Sequence, residues 1–324
     1  MLLRPRKWPK YNASQVHEPA KFPDLLHELC AGVNEPTQPF GRPAFTMADM
    51  LFAMVLKVYS KQPARKFVDQ LGRLHEGGLI SKVPCYNSIL HYFELETITP
   101  HLRDLVVESS KVMAGVETVF AVDSTGFSIR RLGPWMGTRF EKHKLAERRS
   151  WIKVHVMCGV VTKIVTAVEV SKGNAGDSPF FKLLYKTTAA NFEIREVLAD
   201  KAYSSLENMR LVSKGKGILF SPFKNNANPE HRTRDPLWKF LYHLFSMNLS
   251  WFYEHYHQRS NVESVFSMIK RKFGEYLRSR TYTAQVNEAL CKVLCHNLCV
   301  INDCMFQMDL EPEFWAQNDQ AKAS

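Results

Sequence analysis

At 324 residues, 45% hydrophobic and 23% charged, the chain has an ordinary globular composition and room for two domains. A formal net charge of +11 points to a polyanionic partner, nucleic acid being the commonest. No apolar run reaches the length of a membrane span, the basic N-terminus lacks the apolar core of a signal peptide, and seven irregularly placed cysteines exclude a disulfide framework. A reducing, cytoplasmic setting with no membrane contact is expected.

Proline punctuates the first forty-five residues, which predicts irregular chain around one short helix at 22–31. "TMADMLFAMVLKVYSK" opens with Thr46 and Asp49 in capping-box-like spacing and predicts a helix buried on most sides. Pro63 starts a second helix that Gly77 and Gly78 stop. A short third helix, "CYNSILHYFELE", turns Ile89, Leu90 and Phe93 inward and Tyr86, Asn87, Ser88, His91 and Tyr92 outward. That arrangement suits either a helix-turn-helix DNA reader or a small helical bundle. Residues 100–114 read as a connecting helix.

Beyond Glu117 the texture becomes β-rich. "TVFAVD" predicts a strand ending at Asp123, and "SWIKVHVMCGV" and "KIVTAVEV" two strands of a meander around a turn at 160–163. Asp177 or Ser178 then caps a helix with Pro179 at its first position. "EVLAD" is a strand ending at Asp200, "SLENMRLVSK" a helix and "GILFSP" a strand. A polar stretch and an aromatic one precede the helix "YHQRSNVESVFSMIKRKFG", and 284–303 forms the last helix. Three strands followed by alternating helix and strand predict an α/β fold with a mixed sheet covered by helices.

In such a sheet ligands collect at the carboxyl ends of strands, where Asp123 and Asp200 fall. Taken singly, each aspartate is equally a turn former. On the helix, at a hundred degrees per residue, Glu263, Lys270 and Tyr256 lie within about 60° of Arg259, beside a stripe of Val262, Val265, Phe266, Ile269 and Phe273. Spacing alone allows a plain surface Arg–Glu pair worth tenths of a kcal/mol. The two strand-end aspartates supply a reason for the glutamate: three carboxylates suit Mg²⁺, which prefers oxygen ligands, and a metal pair would promote phosphoryl transfer. Arg259 and Lys270 would hold a phosphodiester nearby.

Other candidates sit outside this set. Asp177 is either a fourth acid near this set or, as the local pattern favours, the cap of its helix, and His155, alternating with Lys153, either touches DNA or a metal-bound water or packs on the sheet. Cys291, Cys295 and Cys299, four residues apart with His296 beside them, look like a metal stripe but read as a buried small-residue face. Trp238 and Trp251 either pack in the core or stack on a flipped base. From Arg130 to Lys153 there are eight Lys or Arg against two Glu, so Arg139, Lys142, Lys144, Arg148 and Arg149 read as a loop for DNA backbone.

These motifs resemble the DDE transposases of prokaryotic insertion sequences. Those enzymes carry Asp in "DST" or "DGT", here at Asp123, and Asp in "ADKGY", here "ADKAY" at Asp200. Their Tyr-x2-Arg-x3-Glu-x6-Lys pattern, typical of the family-4 group and its family-5-like relatives, is matched by Tyr256, Arg259, Glu263 and Lys270. Further similarity lies in "GRPAFTMADMLFAMV", "KVHV" (153–156), "GNAGDS" (173–178) and "HNL" (296–298), so that the likeness runs from about residue 40 to 302. Ala202 stands where relatives often have Gly, and the short 201–262 interval leaves no room for the large β insertion of some relatives, which leaves hairpin cleavage open.

The resemblance implies a ribonuclease-H-like catalytic domain at 116–305 with an insertion at 222–255. A helical DNA-binding or dimerisation region would occupy 1–115 and an acidic tail 306–324. Asp123, Asp200 and Glu263 would hold two Mg²⁺ ions, with Mn²⁺ able to substitute. Tyr256, Arg259, Lys270, Lys153, Arg139, Arg148 and Arg149 would contact DNA. A homodimer on terminal inverted repeats and target DNA, nucleoid-associated when bound, would carry out cut-and-paste transposition. An inert transposase-derived DNA-binding regulator, or a nuclease without strand transfer, are the alternatives, and the three acids argue against the first.

Overall fold

The structure, a computed structural model, describes residues 7–35, 45–129, 151–223, 227 and 235–315. Arg139, Lys142, Lys144, Arg148 and Arg149 lie outside the described residues. The chain divides into two compact units, one mainly helical and one built on a sheet, with the changeovers falling inside a strand or helix or close to a helix end.

The helical unit contains α1 (Trp8–Ala31), α2 (Met47–Ser60), α3 (Ala64–Glu76), α4 (Tyr86–Phe93) and α5 (Ile98–Lys111). Its α1 corrects the expected short helix at 22–31: it runs 24 residues through Pro19 and Pro23. Each internal proline costs a backbone hydrogen bond and about 3 kcal/mol. Burial of Phe22, Leu25, Leu26 and Leu29 offsets this, at about 1.5–3 kcal/mol per large apolar side chain. The predicted cap of α2 forms, with Thr46 Oγ1 accepting from the Asp49 N–H at 3.1 Å. Helix α3 follows Pro63 and ends at Gly77, with Gly78 at φ +79°. On α4, Ile89 and Phe93 are buried, but Leu90 is 43% exposed, because an eight-residue helix has one inner face and Leu90 lies off it.

Helix α11 (Tyr282–Met308) closes this unit, packed against α1, α2, α4 and α5. Contrary to the sequence expectation, it is long and apolar enough to cross a membrane by length and composition. Its polar side chains, however, bond to protein. Asn287 Nδ2 donates to the carbonyls of Phe93 and Leu95, Asn302 Nδ2 to that of Ser14, and Lys292 Nζ to those of Gly274 and Tyr276. That is how a core helix satisfies buried polar groups.

The sheet unit starts with β1 (Val119–Ser128), β2 (Trp151–Gly159) and β3 (Val165–Lys172). Then come α6 (Ser178–Ala189), β4 (Glu196–Ala199), α7 (Leu206–Lys214), β5 (Ile218–Phe220), α8 (Pro236–Met247) and α9 (Leu249–Tyr256). The five strands stand in the order β3-β2-β1-β4-β5. β1 pairs parallel with β4, and β4 with β5. A five-residue connection joins β2 to β3, too short for a parallel crossover, so these two run antiparallel. At the other side of β2, Val160 N–H donates to the Val119 carbonyl at 3.0 Å, placing the end of β2 beside the start of β1. The sheet is therefore mixed.

Glu117 sets this corner. Fully buried, it accepts from the N–H groups of Val161 and Thr162 and from Thr162 Oγ1 at 2.6 Å. A Cβ on Gly159 would come within 2.3 Å of its carboxyl carbon, so only glycine fits there. Helix α6 packs on β3, α7 on β5, and α9 on β4 and β5. The aromatic stretch forms the α8–α9 pair, in which Trp238 and Tyr242 meet Phe223 edge-on and Phe245 meets Phe252. Helix α10 (Ser260–Phe273) follows a 3₁₀ turn at His257–Arg259, and the predicted stripe of Val262, Val265, Phe266, Ile269 and Phe273 is buried.

Candidate active site

Parallel pairing of β1 with β4 runs from Val119↔Glu196 to Val122↔Ala199, so Asp123 and Asp200 are the next residues on adjacent strands. Neighbouring strands lie about 4.8 Å apart. β4 ends as expected, whereas β1 continues five residues beyond Asp123. Where β4 stops pairing, β1 leaves the Asp123 side chain at an open strand edge. Asp200 turns the chain into the 3₁₀ segment Lys201–Tyr203, its Oδ1 accepting from the Lys201 N–H at 2.7 Å.

Arg259 connects the strand acid to the helical one. Its Nη1 donates to Asp123 Oδ2 at 2.9 Å and its Nη2 to Glu263 Oε1 at 2.6 Å. Asp123 and Arg259 are largely buried, while Glu263 is 58% exposed. Asp123 Oδ1 accepts from the Ser124 N–H at 2.8 Å, so both carboxylate oxygens are engaged. Burial pushes the Asp123 pKa up; the Ser124 amide and Arg259 pull it down, and Asp200 and Glu263 push it up further. Burial works against the Arg259 charge, yet Tyr256, Asp123, Glu263 and Asp200 hold its pKa above the ordinary range. Three carboxylates thus share one electrostatic neighbourhood, in which one guanidinium bonds two of them, Asp123 and Glu263. Tyr256 lies beside it, its ring centroid 5.9 Å from Arg259 Cζ.

Hard carboxylate oxygens with excess negative charge are the donor chemistry of a divalent-cation site. Among the described residues no three His, Cys, Asp or Glu side chains approach closely enough to cage a metal ion. Arg259 stands between Asp123 and Glu263, using the oxygens that a metal would use.

The structure brings a second group to this place. Asp177, expected to cap α6, occupies the N-cap position but makes no capping hydrogen bond. Its Oδ1 instead accepts from Ser124 Oγ at 2.8 Å and from Lys153 Nζ at 2.6 Å. His155 is wholly buried, stacked on Phe180 at 4.1 Å, with Nε2 paired to Ser171 Oγ at 2.8 Å. Its Nδ1 lies 3.4 Å from Asp177, too far for a good hydrogen bond. Burial lowers the His155 pKa to about 4, so Lys153 is the counter-charge of Asp177. Tyr203 is 1% exposed, and its hydroxyl has no hydrogen-bond partner among the described residues. Burial raises its pKa first, and Asp177, Asp123 and Asp200 add to the rise. Of the two sequence readings of Asp177, the cap hydrogen bond is not made, and the side chain instead reaches Ser124, the neighbour of Asp123.

The remaining candidates separate from this group. Lys270 Nζ stands 5.5 Å from the Phe127 ring centre, and burial lowers its pKa. Cys291, Cys295 and Cys299 are buried, as the small-residue reading expected, and burial raises each thiol pKa. Trp238 packs with Phe223, and Trp251, 37% exposed, with Phe220 and His255. Against known families, residues 114–298 match the model described as a transposase DDE domain, a span that starts just before β1 and ends within α11.

Proposed function

This chain belongs to the transposase DDE domain family, and from that premise we propose that it cuts DNA at transposon ends and joins the freed ends to target DNA. Asp123, Asp200 and Glu263 are the carboxylates of the reaction in this reading. The observation that carries it is that Arg259 joins Asp123 to Glu263 while the register of two parallel strands puts Asp200 next to Asp123. The strand order supports a ribonuclease-H-like domain. The spacing of Tyr256, Arg259, Glu263 and Lys270 supports the family-4/family-5-like grouping.

The three carboxylates would hold two Mg²⁺ ions, or Mn²⁺ in their place. Such ions activate an attacking oxygen and stabilise the leaving one in phosphoryl transfer. Asp123, fixed by the Ser124 amide, presents its second oxygen towards the helix, where Arg259 meets it. Glu263, at an exposed position, completes the acid set from the helix side. Arg259, when not bound to these acids, would hold a phosphodiester oxygen, with Tyr256 beside it and Lys270 two turns beyond Glu263 along α10. Lys153 neutralises Asp177 and keeps excess negative charge from this corner. The N-terminal helices α2–α4 and the basic segment of 130–153 would bind the inverted repeats, and a homodimer would hold two ends together.

Incubation of the protein with DNA carrying the inverted repeats that flank its coding sequence tests this. Mg²⁺ is expected to yield cut ends and joined products, and EDTA neither. Cut ends without joining would leave a nuclease, and bound but uncut DNA an inert regulator.

A further inference from the structure

We propose that Asp177 is a positioning residue for Asp123, acting through the Ser124 hydroxyl, with Lys153 holding Asp177 in place. This rests on reading Asp123 as a metal-binding carboxylate. Ser124 is fixed at two points. Its N–H donates to Asp123 Oδ1 at 2.8 Å and its Oγ–H to Asp177 Oδ1 at 2.8 Å. The Ser124 amide that orients the Asp123 carboxylate is therefore itself anchored, from β3's far end, by a residue fifty-three positions on.

Asp177 forgoes its local use to do this. An N-cap aspartate ordinarily accepts from the second or third amide of its helix. Here the carboxylate makes no such bond and turns across to β1 and β2. Lys153 is 15% exposed and Asp177 24%, so the pair is shielded from water and its partners are not readily exchanged. Lys153 is held in turn by the Ala175 carbonyl at 3.3 Å, two residues before Asp177. His155 closes the same side: pinned by Ser171 and flat on Phe180, it fills the space next to Asp177 without supplying charge. Partners of this kind orient the ligands of a metal site, and their loss costs about 10–100-fold in metal affinity or activity.

The test is a double-mutant cycle on the purified full chain, read by Mn²⁺ binding in calorimetry and by DNA cleavage. Ser124→Ala and Asp177→Asn are each expected to weaken Mn²⁺ binding by about tenfold or more. The double variant is expected to lose no more than either single one, because both break the same chain of bonds. Ser124→Thr keeps a hydroxyl and is expected to stay within about twofold of wild type. If Asp177→Asn does not fold, the Ser124→Ala and Ser124→Thr pair carries the test alone. Losses that multiply in the double variant, or Mn²⁺ affinity unchanged in Ser124→Ala, overturn the positioning role. Asp123→Asn separates the two claims. Mn²⁺ binding that survives it overturns the assignment of Asp123 and the proposal with it. Binding lost in Asp123→Asn together with multiplying losses overturns the positioning role alone.

Discussion

Asp123 carries its charge against the grain of its surroundings. Burial, with Asp200 and Glu263 adding to it, raises its pKa more than the Ser124 amide and Arg259 lower it. The unfolded chain releases this proton near pH 4. The folded chain holds it to higher pH, so stability falls as pH rises from the unfolded pKa through the folded one. Asp123→Asn removes that cost, and Arg259 keeps Glu263 as partner. In EDTA at pH 7 this variant is expected to melt no lower than wild type while losing cleavage; a lower melting temperature contradicts the account. Function at the expense of stability is the usual sign of a site residue. The sequence suggests the three acids as a set through separate motifs, and the structure places Asp123 and Asp200 at the ends of paired strands and joins Asp123 to Glu263 through Arg259. For Asp177 the sequence favours the helix cap over a place near the acids, because an aspartate before Ser-Pro has a ready local use, whereas Ser124 and Lys153 lie on other strands. The Arg259 bridge is equally non-local: spacing predicts its contact with Glu263, and only the folded position of the 3₁₀ turn before α10 shows its contact with Asp123.

Elements that follow local rules were read correctly. The Thr46 cap, the Pro63 start and the Gly77–Gly78 stop frame α2 and α3, and hydrophobic alternation frames β2 and β3. Elements decided by packing were misread: α1 continues through two prolines because its apolar face is buried, and β1 runs past Asp123. The β2–β3 corner depends on one buried acid, a feature no periodicity signals. Glu117→Ala strands the amides of Val161 and Thr162 and the Thr162 hydroxyl. Unpaired buried donors cost about 1–3 kcal/mol, so denaturant unfolding is expected to shift by that amount. An unchanged midpoint would show that Glu117 does not hold the corner.

At the scale of the whole molecule, the net charge of +11 suits a protein whose substrate is a polyanion. The sheet unit gathers the three acids by topology: two neighbouring parallel strands and the helix after the α8–α9 pair. No one of these elements points to a site by itself; their combination is what the proposed reading rests on, and the family match covers the same stretch. The central claim is that Asp123, Asp200 and Glu263 act as one set. Cleavage of inverted-repeat DNA in Mg²⁺ by Asp123→Asn, Asp200→Asn and Glu263→Gln, each checked for DNA binding by gel shift, tests it most directly. All three variants are predicted to bind the DNA and fail to cut it, by a factor of at least about 10³. Any one of them cutting at the wild-type rate would contradict the account.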